Sequence, residues 1–235
     1  MSHERIAGYL NDDAATGLLT KTDRFETPAA AAPPKDWHSE IWLPEPFEAR
    51  YAYPLLVWLH DDGETELSAA PWAEATGMQN MIVLSVRGSI LARGAHGFRW
   101  PADGRDVWAA IAEELAELPP ELRFDASRVV LAGRGQGAAA AFAAWKHAPR
   151  DVAGACLVNP GPPADSDALN GCGSQTLGGR LWIGGLGASD WRSAGKAAFA
   201  LGTDVRIEPT AVTPDRVGPA INTWVMRSIP TAVLA

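Results

Sequence analysis

The chain has 235 residues, 47% of them hydrophobic and 20% charged, with a formal net charge of −8. It carries no stripe of clustered Lys and Arg for neutralising phosphates, which argues against nucleic acid, and its sign opposes adsorption to anionic lipid. No run of about 18 apolar residues could span a membrane, and Met1-Ser2-His3-Glu4-Arg5 leads into no apolar core of signal-peptide length, so a cytoplasmic protein without membrane insertion is expected.

Residues 1–36 are polar and then Ala/Pro-rich from Pro28 to Pro34, which reads as a flexible arm and semi-rigid linker with a short helix around Ile6–Leu10. Residues 37–235 read as one domain, a size that a single α/β core reaches. Apolar runs at Glu40–Leu43, Leu55–His60, Met81–Val86, Arg128–Ala132, Gly154–Val158, Arg180–Ile183 and Val205–Glu208 predict strands, several of them buried on both faces. Helical spacing predicts Ala69–Thr76, Gly104–Glu117, Gly137–His147, Trp191–Leu201 and Arg216–Arg227, with Pro119-Pro120 closing the second. The alternation implies βαβ units in an open, mostly parallel sheet flanked by helices. Cys156 and Cys172 are the only cysteines, and their pairing stays open.

One turn carries the most chemistry. Gly133-Arg134-Gly135-Gln136-Gly137 follows the strand Val129-Val130-Leu131-Ala132 and precedes an Ala-rich helix. A nucleophile elbow, G-x-S-x-G, sits between a strand and a helix in this way. With Pro54-Leu55-Leu56-Val57-Trp58-Leu59-His60, Val86-Arg87-Gly88, Gly97-Phe98-Arg99-Trp100, Ala153-Gly154-Ala155 and Gly187-Ala188-Ser189-Asp190, the chain from about Ile41 onward resembles the α/β-hydrolases of phospholipase/carboxylesterase, dienelactone-hydrolase-like type.

That resemblance implies a doubly wound, mostly parallel sheet whose first strand runs antiparallel at an edge, and a triad of Ser, Asp and His. Gly135 stands where the Ser belongs, Asp190 fits the acid, and Pro209-Thr210-Ala211-Val212-Thr213-Pro214 puts Thr210 at the His. The last histidine in the chain is His147. The loop that should supply an oxyanion donor reads His60-Asp61-Asp62-Gly63 in place of His-Gly-x-Gly, so two carboxylates oppose an oxyanion unless Arg87 or Arg134 screens them; the backbone N–H of Gln136 remains as the second donor. Removing the Ser or the His from a comparable triad costs about 10⁶ in kcat, and removing both costs little more. The triad mechanism is therefore not expected to operate.

Competing readings attach to the same residues. Gly133, Gly135 and Ala138 also satisfy a dinucleotide fingerprint, but on a late strand, and the next strand ends in Val158-Asn159-Pro160 with no acid for a ribose. His60, at the end of a buried strand, reads as structural. His96 lies in a loop that could border the former pocket and is the candidate replacement base. Asp61 and Asp62 read as solvated loop acids, since hard-metal sites usually gather more oxygen ligands than this pair. Asp190 reads as a helix N-cap. Ten scattered tryptophans read as core. The expectation is a pseudo-esterase without cofactor or metal, serving as a structural or protein-interaction subunit or self-associating. A small-molecule receptor that reuses the pocket and a hydrolase with an unrecognised nucleophile are the alternatives.

Overall fold

Side-chain alternation in the central strands decides the layering. In the strand Tyr53–Leu59 every residue is buried, yet Leu55, Val57 and Leu59 enter one hydrophobic core and Leu56 and Trp58 another. A strand apolar on both faces is stable only when helices cover both. The computed structural model describes residues 38–77, 80–92, 96–161, 179–185, 190–208 and 213–227. The expected arm over residues 1–36, Cys172, Thr210 and the turn residues Gly187, Ala188 and Ser189 lie outside the described residues.

The strands are β1 (Ser39–Trp42), β2 (Tyr53–Leu59), β3 (Ile82–Val86), β4 (Ile90–Leu91), β5 (Phe98–Arg99), β6 (Phe124–Arg134), β7 (Gly154–Val158), β8 (Arg180–Gly184) and β9 (Asp204–Glu208). Seven form one sheet in the order β1-β3-β2-β6-β7-β8-β9, while β4 and β5 make a separate hairpin. Every pairing in the large sheet is parallel except that of β1, which runs antiparallel along β3 at the edge with Ile41 opposite Leu84. This is the expected α/β-hydrolase sheet, edge strand included.

The helices are α1 (Ala70–Gly77), α2 (Gly104–Glu117), α3 (Gln136–His147), α4 (Arg192–Ala200) and α5 (Pro214–Arg227). Apolar residues of α2, α3 and α4 pack on one face of the sheet, and those of α1 and α5 on the other. In α2 the inward residues Val107, Ile111 and Leu115 repeat at helical spacing, and the Asp103 carboxylate caps the first turn by accepting the Arg105 N–H at 2.8 Å. Of the nine tryptophans among the described residues, eight are buried. Trp58 stacks on Trp72 at 4.9 Å, and Phe142 meets Trp191 edge-on at 5.0 Å. Each such side chain contributes about 1.5–3 kcal/mol through burial alone.

Three local features depart from expectation. The hairpin of β4 and β5 and the 3-10 turn Glu66–Ala69 leave no mark in the sequence pattern, because two-residue strands and a single tight turn have no period to detect. Strand β6 starts at Phe124, four residues before the apolar run that marks it. Helix α4 starts at Arg192 with Trp191 at its cap position and no side-chain cap, so Asp190 is exposed one residue too early to serve as N-cap. Among the described residues no helix is long and apolar enough to cross a membrane.

Candidate functional site

Backbone geometry builds the turn at Gly135. Its φ of 57° and ψ of −118° lie in a region that residues with a Cβ rarely adopt. The conformation is held by the Gly135 N–H, which donates to the Val158 carbonyl at 3.1 Å. Close approach needs glycine at the next turn position too, since a Cβ on Gly137 would lie 2.2 Å from the Leu59 carbonyl oxygen. Strand β6, the sharp turn and α3 thus have the form of a nucleophile elbow. What differs is the occupant of its tip.

A Cβ built on Gly135 would stand 2.1 Å from Asp61 Oδ1 and 2.3 Å from its Cγ. The carboxylate of Asp61, reaching over from the loop after β2, fills the space of the missing side chain. Its Oδ1 accepts the Gln136 N–H at 2.9 Å and the Asp62 N–H at 2.8 Å. The amide expected to serve an oxyanion and a second amide on the opposing loop thus converge on one carboxylate oxygen. The N-terminus of α3 adds a favourable dipole for that charge. Two unit negative charges about 4 Å apart at a partly exposed site repel by about 4 kcal/mol, so a developing oxyanion is opposed sterically and electrostatically.

The surrounding charges hold Asp61 in place. Arg134 Nη2 lies 3.9 Å from Asp61 Oδ2 and forms a close ion pair with Glu64. Glu64 Oε2 in turn accepts the Asp61 N–H at 3.1 Å and the Ser68 hydroxyl at 3.0 Å. Arg134 is therefore the screening cation, while Arg87 points elsewhere. Arg87 makes a two-pronged pair with Glu66, whose side chain is only 5% exposed, and its guanidinium lies 4.8 Å from the centre of the Phe98 ring. That pair holds the Glu66 carboxyl below its usual pKa against the opposing effect of burial.

The reading of both loop acids as solvated is corrected for Asp61, which is half-buried and bound at both oxygens. It stands for Asp62, 45% exposed and 3.6 Å from Arg99 Nε. A pyrophosphate at the N-terminus of α3 would meet the Asp61 carboxylate, which weighs against the dinucleotide reading. Among the described residues no group of three or more His, Cys, Asp or Glu is placed to hold a metal ion.

His60 is completely buried. Its Nε2 accepts the Gly88 N–H at 2.9 Å, so the proton resides on Nδ1, which donates to the Asp61 carbonyl at 2.7 Å. Its own carbonyl accepts the Trp100 Nε1–H at 2.9 Å. Burial pulls its pKa below the ordinary histidine value. With both nitrogens engaged, His60 braces the Asp61 loop, as its position at the end of β2 suggested. His96 is exposed beside that loop, one residue before Gly97, whose backbone abuts Gly63. Among the described residues no hydrogen bond or ion pair joins Asp190 to Gly135, Asp61 or Arg134. Cys156 is buried in β7, and burial pushes its thiol pKa well up.

Glu64, Glu66, Gly88 and Trp100 are the site residues that sequence reasoning missed. The available signal for Glu64 and Glu66 was the density of acids at 61, 62, 64 and 66 in one short loop, which calls for the nearby cations Arg87, Arg99 and Arg134.

This fold is that of the α/β-hydrolases. The carboxylesterase of Bacillus cereus superposes with a TM-score of 0.62 at 22% identity, over 83% of this chain and 96% of that one. A carboxylesterase from Mesorhizobium loti gives 0.58 at 19% identity over 75% and 90%, and YahD, in its structure with malic acid, gives 0.58 at 15% over 82% and 100%. No family model and no curated protein matches the chain by sequence.

Proposed function

We propose that this chain is a hydrolase-fold protein that no longer performs ester chemistry and works, in the cytoplasm, by binding other proteins. The observation that carries the reading is the Asp61 carboxylate at the tip of the elbow, where it takes the Gln136 and Asp62 amides and the space of a Gly135 side chain. Two requirements of triad chemistry argue for this reading, since the elbow has no hydroxyl at Gly135 and the amides that would serve an oxyanion are taken by Asp61. His60 is buried with both nitrogens engaged, and no histidine follows His147. A receptor that reuses the old pocket is less well supported, because an acyl or carboxylate ligand would have to displace Asp61.

The test is hydrolysis of p-nitrophenyl esters together with labelling by a fluorophosphonate. Neither reaction is expected above background. Stoichiometric labelling of one serine, or ester turnover abolished by one point change, would overturn the reading in favour of an unrecognised nucleophile.

A further inference from the structure

Strand β9 and the helix beside it present a surface that the elbow does not use. Along a strand, backbone groups alternate between the two neighbours as side chains alternate between the two faces. Asp204 donates its N–H to Gly179, and Glu208 accepts from the Gly185 N–H. Residues 204, 206 and 208 therefore direct their backbone groups to β8, and Val205 and Ile207 direct theirs outward from the last strand of the sheet. The side chains of Val205 and Ile207 lie on the α4 face. A Cβ on Gly195 would meet Ile207 Cδ1 at 3.0 Å and Val205 Cγ1 at 3.2 Å, so glycine lets the helix sit low against the strand. Beside this contact runs a groove of about 490 Å³ lined by Arg192, Gly195, Lys196, Phe199, Val205 and Ile207.

The groove has an apolar floor and a cationic rim. Phe199 is 71% exposed, the most exposed large hydrophobic side chain among the described residues. Arg192, Lys196 and Phe199 share one exposed stripe of α4 at spacings of four and three. Among the described residues neither cation has a carboxylate within ion-pair distance. The acids of β9 are on the other face, Asp204 at 2.9 Å from Arg180 and Glu208 against Arg206. In a chain of net charge −8, two cations that no carboxylate among the described residues answers, set over apolar side chains at a strand edge, define a complementary shape.

We propose that this groove takes an extended acidic segment of a partner protein, added to β9 as a further strand. The segment bonds to the outward backbone groups of Val205 and Ile207, sets an apolar side chain against Phe199 and brings carboxylates to Arg192 and Lys196. The proposal rests on the binding role given above and names its surface. A second copy of this chain fits less well. Antiparallel two-fold pairing of β9 with itself puts both α4 helices on the same side of the joined sheet, and the four cations then converge without an acid to answer them.

The experiment uses the full chain and a fluorescein-labelled dodecapeptide whose alternate positions, on one face of the strand, carry Glu, Glu and Leu in turn with Thr and Ser between them, read by fluorescence anisotropy, with a control peptide carrying Lys for each Glu. The acidic peptide should bind at least about tenfold more tightly than the control, which corresponds to about 1.4 kcal/mol. Arg192→Glu with Lys196→Glu should lose about tenfold, and Arg192→Gln with Lys196→Gln provides the milder version if melting shows the reversal to be unfolded. Phe199→Ala should weaken binding without lowering the melting temperature. Equal binding of the two peptides, no binding, or full affinity in the folded charge variants overturns the proposal. So does sedimentation showing a dimer of the parent that Phe199→Ala dissolves, because the occupant is then a second copy. Ester turnover is measured on the same preparations. A silent protein that ignores the peptide sinks the groove alone, whereas an active esterase sinks the functional reading whatever the peptide does.

Discussion

Asp61 and Gly135 compete for one volume: a Cβ on Gly135 would lie 2.1 Å from Asp61 Oδ1. The loop after β2 and the turn after β6 are held in register by adjacent parallel strands, with Leu59 opposite Gly133. Neither backbone can retreat without disturbing the centre of the sheet, so a side chain at Gly135 has to turn the Asp61 carboxylate off its amides. The glycine and the carboxylate are thus two halves of one local solution, in which the small residue makes room and the acid fills it and satisfies two amides.

Gly135→Ser should therefore destabilise the fold on two counts. The backbone conformation costs a residue with a side chain about 1–3 kcal/mol. Displacing Asp61 also breaks its two exposed hydrogen bonds to the Gln136 and Asp62 amides, together about 1–3 kcal/mol. Asp61→Gly should relieve the clash, so the double variant should be less destabilised than the sum of the singles by at least about 1 kcal/mol. Urea melts of all four proteins measure the coupling, and additive effects would show that the two residues do not share the space. None of the four should hydrolyse p-nitrophenyl acetate, because an unactivated hydroxyl is a poor nucleophile at neutral pH.

The two loop acids should respond differently to truncation. Asp61→Ala strands the Gln136 and Asp62 amides and should cost about 1–3 kcal/mol. Asp62→Ala removes only an exposed pair with Arg99 and should stay within about 0.5 kcal/mol. Equal losses in urea melts would mean that Asp61 is not seated on the amides.

Glu66 and Arg87 make the most deeply buried ion pair beside the site. Arg87→Met leaves the Glu66 carboxylate buried without its partner, which should cost about 3–5 kcal/mol. Adding Glu66→Gln should return part of that loss. If thermal melts show the double variant as unstable as Arg87→Met, the pair is not what holds Arg87 in place.

Most of the fold was legible because its signals are periodic. The continuous apolar run of β2 and the Val107, Ile111 and Leu115 spacing of α2 record burial directly. The elbow was legible for a different reason, since its glycines answer to backbone geometry that few residues adopt. The filling of the elbow was not legible. Sequence places Asp61 and Gly135 74 positions apart, and only the parallel pairing of β2 with β6 brings the loop over the turn. The sequence makes Asp61 an acid opposing the oxyanion from nearby, whereas in the fold it sits on the amides themselves. The N-cap reading of Asp190 failed because a cap depends on where the helix begins, and one residue of difference was enough.

A pH dependence follows from His60. The Gly88 N–H donates to Nε2, so that nitrogen has to present a lone pair, and protonation would set two donors against each other. Burial lowers the pKa of the ring and outweighs the Asp61 carbonyl and the nearby carboxylates of Glu64, Glu66 and Asp61, all of which pull the other way. A lowered folded-state value means that the unfolded chain takes up the proton first as pH falls. The stability that neutral His60 contributes is thus present above about pH 6.5, the unfolded value, and is lost as pH drops from there toward the folded pKa. Glu114 works in the opposite sense. Burial raises its carboxyl, so its contribution is lost as pH rises through the raised value. The effect of His60 has to be read as a difference, and His60→Asn supplies the comparison. At pH 7.5 the variant should be less stable by about 1–3 kcal/mol, because the Gly88 N–H loses its acceptor. Between pH 7.5 and 5.5 the parent should lose more stability than the variant, with a slope approaching about 1.4 kcal/mol per pH unit for one proton. Urea melts across that range decide the matter. Parallel curves would mean that His60 is not held neutral by Gly88, and the brace assigned to the Asp61 loop would have to be sought elsewhere.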